Sequence, residues 1–173
     1  MKNVAILFTF LIITTTTFAQ IDFDKKLKEM GIELFPPSKP MGNYVKVVRS
    51  GNLLFTAGHG PTKADGSNIT GKVGKDLTVE QGTEAARQAG IAILSTLKAE
   101  LGDLNKVRRI VKVLGMVNCT ENFTDQPKVM NGFSDLMVAV FGDKGKHARS
   151  AVGMYVLPSN IAVEVEIVVE IEN

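Results

Sequence analysis

An α+β fold, with a mixed or mostly antiparallel sheet and two helices packed on one of its faces, is what three features of this sequence predict. Two segments of helical period lie at 78–102 and 127–142, separated by a β-branched run from Val107 to Val117. Two short β-rich segments precede the first helix, and the chain ends on a strand whose apolar residues alternate without a break. Hairpin, helix, strand, helix and two strands is an order that leaves both helices on one side of a single sheet.

Residues 1–19 stand apart from that domain. Lys2 and Asn3 form a short basic start, Val4 to Ile13 are almost wholly apolar, and Thr17-Phe18-Ala19 offers small residues where a signal peptidase cuts. Cleavage after Ala19 and a periplasmic or secreted protein are expected. The apolar run is shorter than the ~20 residues that span a bilayer. No Cys follows it to carry a lipid, so no membrane attachment is expected after cleavage. Residues 20–41 read as an N-terminal helix and linker. Asp22 or Asp24 caps a helix to Met30, Gly31 stops it, and Pro36, Pro37 and Pro40 force an extended path.

The domain proper is expected over residues 42–173. Tyr44 to Arg49 and Leu53 to Ala57 read as two strands joined by the turn Ser50-Gly51-Asn52. Gly58 to Lys75, rich in Gly, Thr, Asp and Asn, reads as a loop with one short strand near Ile69 to Val73. Thr78 and Gln81 have capping-box spacing. Ala85, Ala86, Ala89, Ile93, Leu97 and Leu101 then recur at three- and four-residue steps until Gly102. Pro127 opens the second helix, whose Met130, Phe133, Met137 and Phe141 make one apolar stripe ended by Gly142. Ser150 to Leu157 and Ile161 to Ile171 read as strands. The second is apolar at its odd positions, while Glu164, Glu166, Glu170 and Glu172 occupy the other face.

Composition removes several function classes. With 173 residues there is room for one core. A formal charge of +2 with scattered Lys and Arg gives no footprint for nucleic acid. No P-loop, nucleophile elbow or dinucleotide fingerprint is present. His59, His147 and the single Cys119 do not make a zinc set, and Cys119 reads as a buried strand residue without an internal disulfide partner.

The most informative run is His147-Ala148-Arg149-Ser150-Ala151-Val152, followed by Leu157-Pro158 and Val163-Glu164-Val165-Glu166. An Arg at the start of a strand can offer a planar fork to a small carboxylate, and a Glu on the neighbouring strand can hold a water. The residues alone fit better a surface Arg and a solvated acidic strand face.

The run Arg-Ser-x-Val, then Leu-Pro, then an alternating hydrophobic-Glu strand resembles the carboxy-terminal signature of the YjgF/RidA family. Gly42-x-Tyr44, the strand Gly51-Asn52-Leu53-Leu54-Phe55-Thr56-x-Gly58 and the helix carrying Asn131 fall in that family's order. The resemblance implies a chorismate-mutase-like fold assembled as a homotrimer, with ligand clefts between subunits. It also implies hydrolysis of small enamine and imine acids to 2-keto acids and ammonia, without a metal or organic cofactor. On that resemblance Arg149 grips the substrate carboxylate and Glu164 positions the hydrolytic water. Main-chain groups at Ala151 meet the imine, and Tyr44, Gly58 and Asn131 line the cleft. Three positions depart from the family's pattern and look like a subgroup with its own ligand: Ala151 where deaminases commonly carry Cys, His59 in place of Gln, and Ser134 where an aromatic is usual. A trimeric small-carboxylate binding protein without chemistry is the alternative. The ribonuclease reading attached to parts of the family fits poorly with the near-neutral charge and the lack of paired catalytic histidines.

Overall fold

The computed structural model describes residues 20–172. The expected signal segment 1–19 lies outside the described residues. The first helix, α1 (Phe23–Glu29), is capped by Asp22, whose carboxylate accepts from the Lys25 amide at 2.9 Å. Its apolar side enters the common core: Phe23 and Leu27 are buried, and the Phe23 ring sits 5.4 Å from that of Phe141. The linker then crosses the long helix, where the Phe35 amide donates to Ser95 Oγ.

The hairpin is shorter than its β-rich sequence. Strands β1 (Val47–Ser50) and β2 (Leu53–Thr56) pair antiparallel. Tyr44 and Val45 lie in the preceding loop because β2 diverges after Ala57, and His59 bridges to Val165 of the terminal strand instead. Ile69 to Val73 forms isolated bridges, Thr70 to Ile161 and Val73 to Cys119, where a strand was expected. Gly71, at φ 121°, breaks the extended run in its middle.

Helix α2 (Val79–Leu101) starts at the capping box: Thr78 Oγ1 accepts from the Gln81 amide, and Gln81 Oε1 accepts from the Thr78 amide. Strand β3 (Val107–Asn118) leads to α3 (Gln126–Phe141), then β4 (Ala148–Met154) and β5 (Val163–Ile171). The sheet order is β1-β2-β5-β3-β4, with β3 and β4 parallel and the other pairs antiparallel, so the sheet is mixed. Helices α2 and α3 pack on each other very closely. A Cβ at Gly132 would lie 2.0 Å from the Thr83 carbonyl oxygen, so only glycine permits this approach.

Both helices cover the sheet face formed by Val163, Val165, Ile167, Val169 and Ile171, all buried as the alternation requires. Among the described residues no layer covers the opposite face. There Val48 and Phe55, cross-strand partners at one end of the sheet, are 54% and 42% exposed, and Val152 on the far edge strand is 39% exposed, apolar side chains left open to water. A shallow concavity of about 500 Å³ on this face is lined by Phe55, Lys112, Leu114, Ser150, Glu166 and Val168 among others.

Candidate functional site

The residues singled out in the sequence gather into two groups on opposite faces of the sheet. Arg149 is the second residue of the edge strand β4 and pairs with Val113, whose side chain is buried on the helix side. Its half-buried guanidinium reaches the N-terminal half of α3. Nη1 donates to Asn131 Oδ1 at 3.2 Å and to Ser134 Oγ at 2.9 Å, and Nη2 donates to the Pro127 carbonyl at 3.2 Å. Among the described residues, Nε and the second Nη2 hydrogen have no partner in that set. The group therefore keeps a two-donor edge free for a planar anion. Asn131 and Ser134 meet the same group because residues three apart share a helix face. Ala151, two residues along β4 and opposite Gly115, continues the strand on the same side.

Glu164 belongs to the other group. It pairs with Met116 of β3 and points to the open face, half-buried beside Gly58. A Cβ on Gly58 would stand 2.0 Å from Glu164 Oε1, so the carboxylate occupies the space a side chain there would need. Burial raises the Glu164 pKa above the ordinary carboxylate value, Glu166 adds to the rise, and Lys46 opposes it. Burial also lowers the Lys46 pKa, partly offset by Glu164. Tyr44, 51% exposed, stacks near Gly42 in the loop before β1 and hydrogen-bonds neither Arg149 nor Glu164.

The sequence reading placed Glu164 on the strand neighbouring Arg149, and the sheet order corrects this. The connection from β3 through α3 lays β4 on the outer side of β3, leaving β5 to pair with the inner side. One chain thus holds Arg149 with Asn131, and Glu164 with Gly58, but does not bring the two groups together.

Three contributors escaped the sequence reading as site partners. Lys46 is one, its charge acting to lower the Glu164 pKa against the effect of burial. Ser134 Oγ and His147 Nε2 are 3.0 Å apart, and His147 Nδ1 is 2.7 Å from the Gly145 carbonyl. The closeness of His147, in the residues just before β4, to Arg149 at the start of that strand was the available signal. His59 is buried, with Nδ1 on the Ala57 carbonyl and Nε2 on Thr96 Oγ1, and burial pushes its pKa down to about 4. Such a ring stays neutral and serves the core. Among the described residues no group of three His, Cys, Asp or Glu side chains could hold a metal ion, and no helix is long and apolar enough to cross a membrane. A hollow of about 620 Å³ lies against α1 near Asp24, Leu27 and Lys98, away from both groups.

A family model described as "YjgF/chorismate_mutase-like, putative endoribonuclease" matches residues 24–171. Protein TCP17 of Trypanosoma cruzi is 44% identical over 148 residues, covering 85% of this chain and 92% of that protein. A solved protein of unknown function from Agrobacterium tumefaciens is 42% identical with a TM-score of 0.80, covering 87% of this chain and 94% of that one. A structure from Shewanella oneidensis described as a "putative endoribonuclease" is 30% identical with a TM-score of 0.83, covering 86% and 99%. The matched region begins within α1, in keeping with the packing of that helix into the core.

Proposed function

Because the chain belongs to the YjgF/RidA family, we propose that it is an exported homotrimer whose inter-subunit clefts hydrolyse small enamine and imine acids to 2-keto acids and ammonia. The observation that carries this reading is the Arg149 guanidinium, tied to α3 by three hydrogen bonds while one edge stays free. A bidentate carboxylate on that edge fixes the plane of the adjacent C=N and so orients it for attack. With the substrate as the protonated imine, the water oxygen bonds the imine carbon as the C=N pair moves to nitrogen, and one water proton passes to the Glu164 carboxylate of a neighbouring copy. The carbinolamine nitrogen then takes up that proton and leaves as ammonia as the C–N bond breaks, while the hydroxyl gives its proton back to Glu164, and from there to solvent, to leave the 2-keto acid.

The separation of the two groups supports assembly. Arg149 and Glu164 face opposite sides of one sheet, so a second copy is the direct way to bring a Glu164 to an Arg149. The open apolar face around Val48, Phe55 and Val152 is the surface such a copy would cover. The charge of +2 and the neutral, buried His59 lend no support to ribonuclease chemistry.

The test combines light scattering at micromolar concentration with release of ammonia and pyruvate from 2-aminoacrylate generated in situ by a dehydratase. Three copies per particle and release faster than the spontaneous rate are expected. Binding of pyruvate without acceleration would replace the enzyme by a carboxylate-binding protein, and a monomer would remove the composite site. The proposed export is checked separately by the intact mass of natively expressed protein, which should begin at Gln20. A mass retaining residues 1–19 would overturn it.

A further inference from the structure

We propose that Ser134 and His147 are a positioning pair for Arg149, a relay that locks the guanidinium in one rotation and so decides which edge it offers to a ligand carboxylate. The inference rests on the proposed role of Arg149 as the carboxylate grip and adds to it the device that holds the grip.

The direction of every hydrogen bond in the relay is forced. An Arg nitrogen can only donate, so Ser134 Oγ accepts from Arg149 Nη1 at 2.9 Å. The Gly145 carbonyl can only accept, so His147 Nδ1 carries a hydrogen and donates to it at 2.7 Å. In a neutral ring Nε2 is then the acceptor, and the single Ser134 hydrogen points to it across 3.0 Å. Arg149 donates to Ser134, Ser134 to His147, and His147 to Gly145, with no free rotor left between them. Burial, together with the Arg149 charge, keeps the His147 pKa below its ordinary value, against the raising effect of the Gly145 carbonyl. The neutral ring that the relay requires is therefore the favoured form.

Both ends of the relay are anchored in packed structure. Gly145 is buried, and a Cβ on it would stand 2.2 Å from the Met137 carbonyl oxygen. The His147 ring meets Phe133 edge-on at 6.0 Å between centroids, and Phe133 is fully buried. Asn131 is exposed and the Pro127 carbonyl is shared with solvent, so the relay is the part of the Arg149 support that the core itself fixes. A preorganised fork loses less freedom on binding than a free one.

The experiment measures pyruvate affinity by titration calorimetry and Arg149 guanidinium rotation by nitrogen-15 NMR, with the melting temperature as control. Ser134→Ala and His147→Phe should each weaken pyruvate binding about tenfold, the size of one lost hydrogen bond to a charged group, without moving the melting point by more than a few degrees. Ser134→Thr restores the hydroxyl and His147→Gln restores an acceptor, so both should recover most of the affinity. The Nη hydrogens of Arg149 should be distinct in the wild type and averaged in Ser134→Ala and His147→Phe, a readout that needs no ligand. Wild-type affinity and unaveraged signals in those two variants would overturn the relay while leaving the carboxylate grip in place. The grip itself fails only if Arg149→Ala binds pyruvate as the wild type does.

Discussion

Arg149→Ala should abolish pyruvate binding and imine hydrolysis while leaving the fold intact. The lost contact is a charge-assisted pair worth roughly 1.5–3 kcal/mol, or about 10- to 150-fold in affinity. Its removal also frees the carboxylate to rotate, so turnover falls beyond the affinity loss. The fold should survive because the groups left behind can be rehydrated: Asn131 is exposed, and Ser134 and His147 are only half-buried. Nor does Arg149 make an ion pair whose partner would be stranded among the described residues. Arg149→Lys should rescue partly, since a point charge attracts a carboxylate but cannot reproduce the fork. Calorimetry with pyruvate and circular dichroism of the same samples decide the matter. Unfolding of Arg149→Ala would identify a structural residue instead.

How far this site was legible in the sequence follows from what local pattern can report. The capping box at Thr78, the stop at Gly102 and the alternation of β5 are set by neighbours a few residues apart, and all three stand in the structure as read. The identities of the residues around Arg149 were partly visible too, because Asn131 lies on one apolar-striped helix and Arg149 on one strand. Strand order was not visible. Alternation says which residues of β5 are buried but not whether β3 or β4 lies beside it, since that depends on how the chain returns through α3. The error of placing Glu164 next to Arg149 came from this gap. Ser134 and His147 are thirteen residues apart, one on α3 and the other just before β4, and only the packing of α3 against that segment joins them. The truncated hairpin has the same origin: Tyr44 and Val45 have strand-forming side chains, but β2 has already turned toward β5 when they would need a partner.

Glu164→Gln should separate chemistry from both binding and stability. The amide fills the same space beside Gly58 and leaves the Arg149 group untouched on the opposite face, so pyruvate affinity should change less than twofold. It cannot accept the proton of the attacking water, and a general base contributes about 10²–10⁴-fold. The turnover number should therefore fall by about a hundredfold or more, toward the spontaneous rate, with KM little changed. Burial and Glu166 hold the wild-type carboxyl above the ordinary range, so the acid limb of the activity profile should lie at higher pH than for a free carboxylate. Removing the opposing charge with Lys46→Met should move that limb higher still. Stability should run the other way. A carboxyl whose folded pKa is raised stabilises the fold while protonated, and that stabilisation is lost as pH rises through the raised value. At neutral pH the ionised Glu164 is thus a cost of folding, and Glu164→Gln should melt at an equal or higher temperature than the wild type, with the difference vanishing in acid. A variant that loses activity and stability together would mean that Glu164 holds the sheet through contacts its charge supports, and the base would have to be sought elsewhere on the open face.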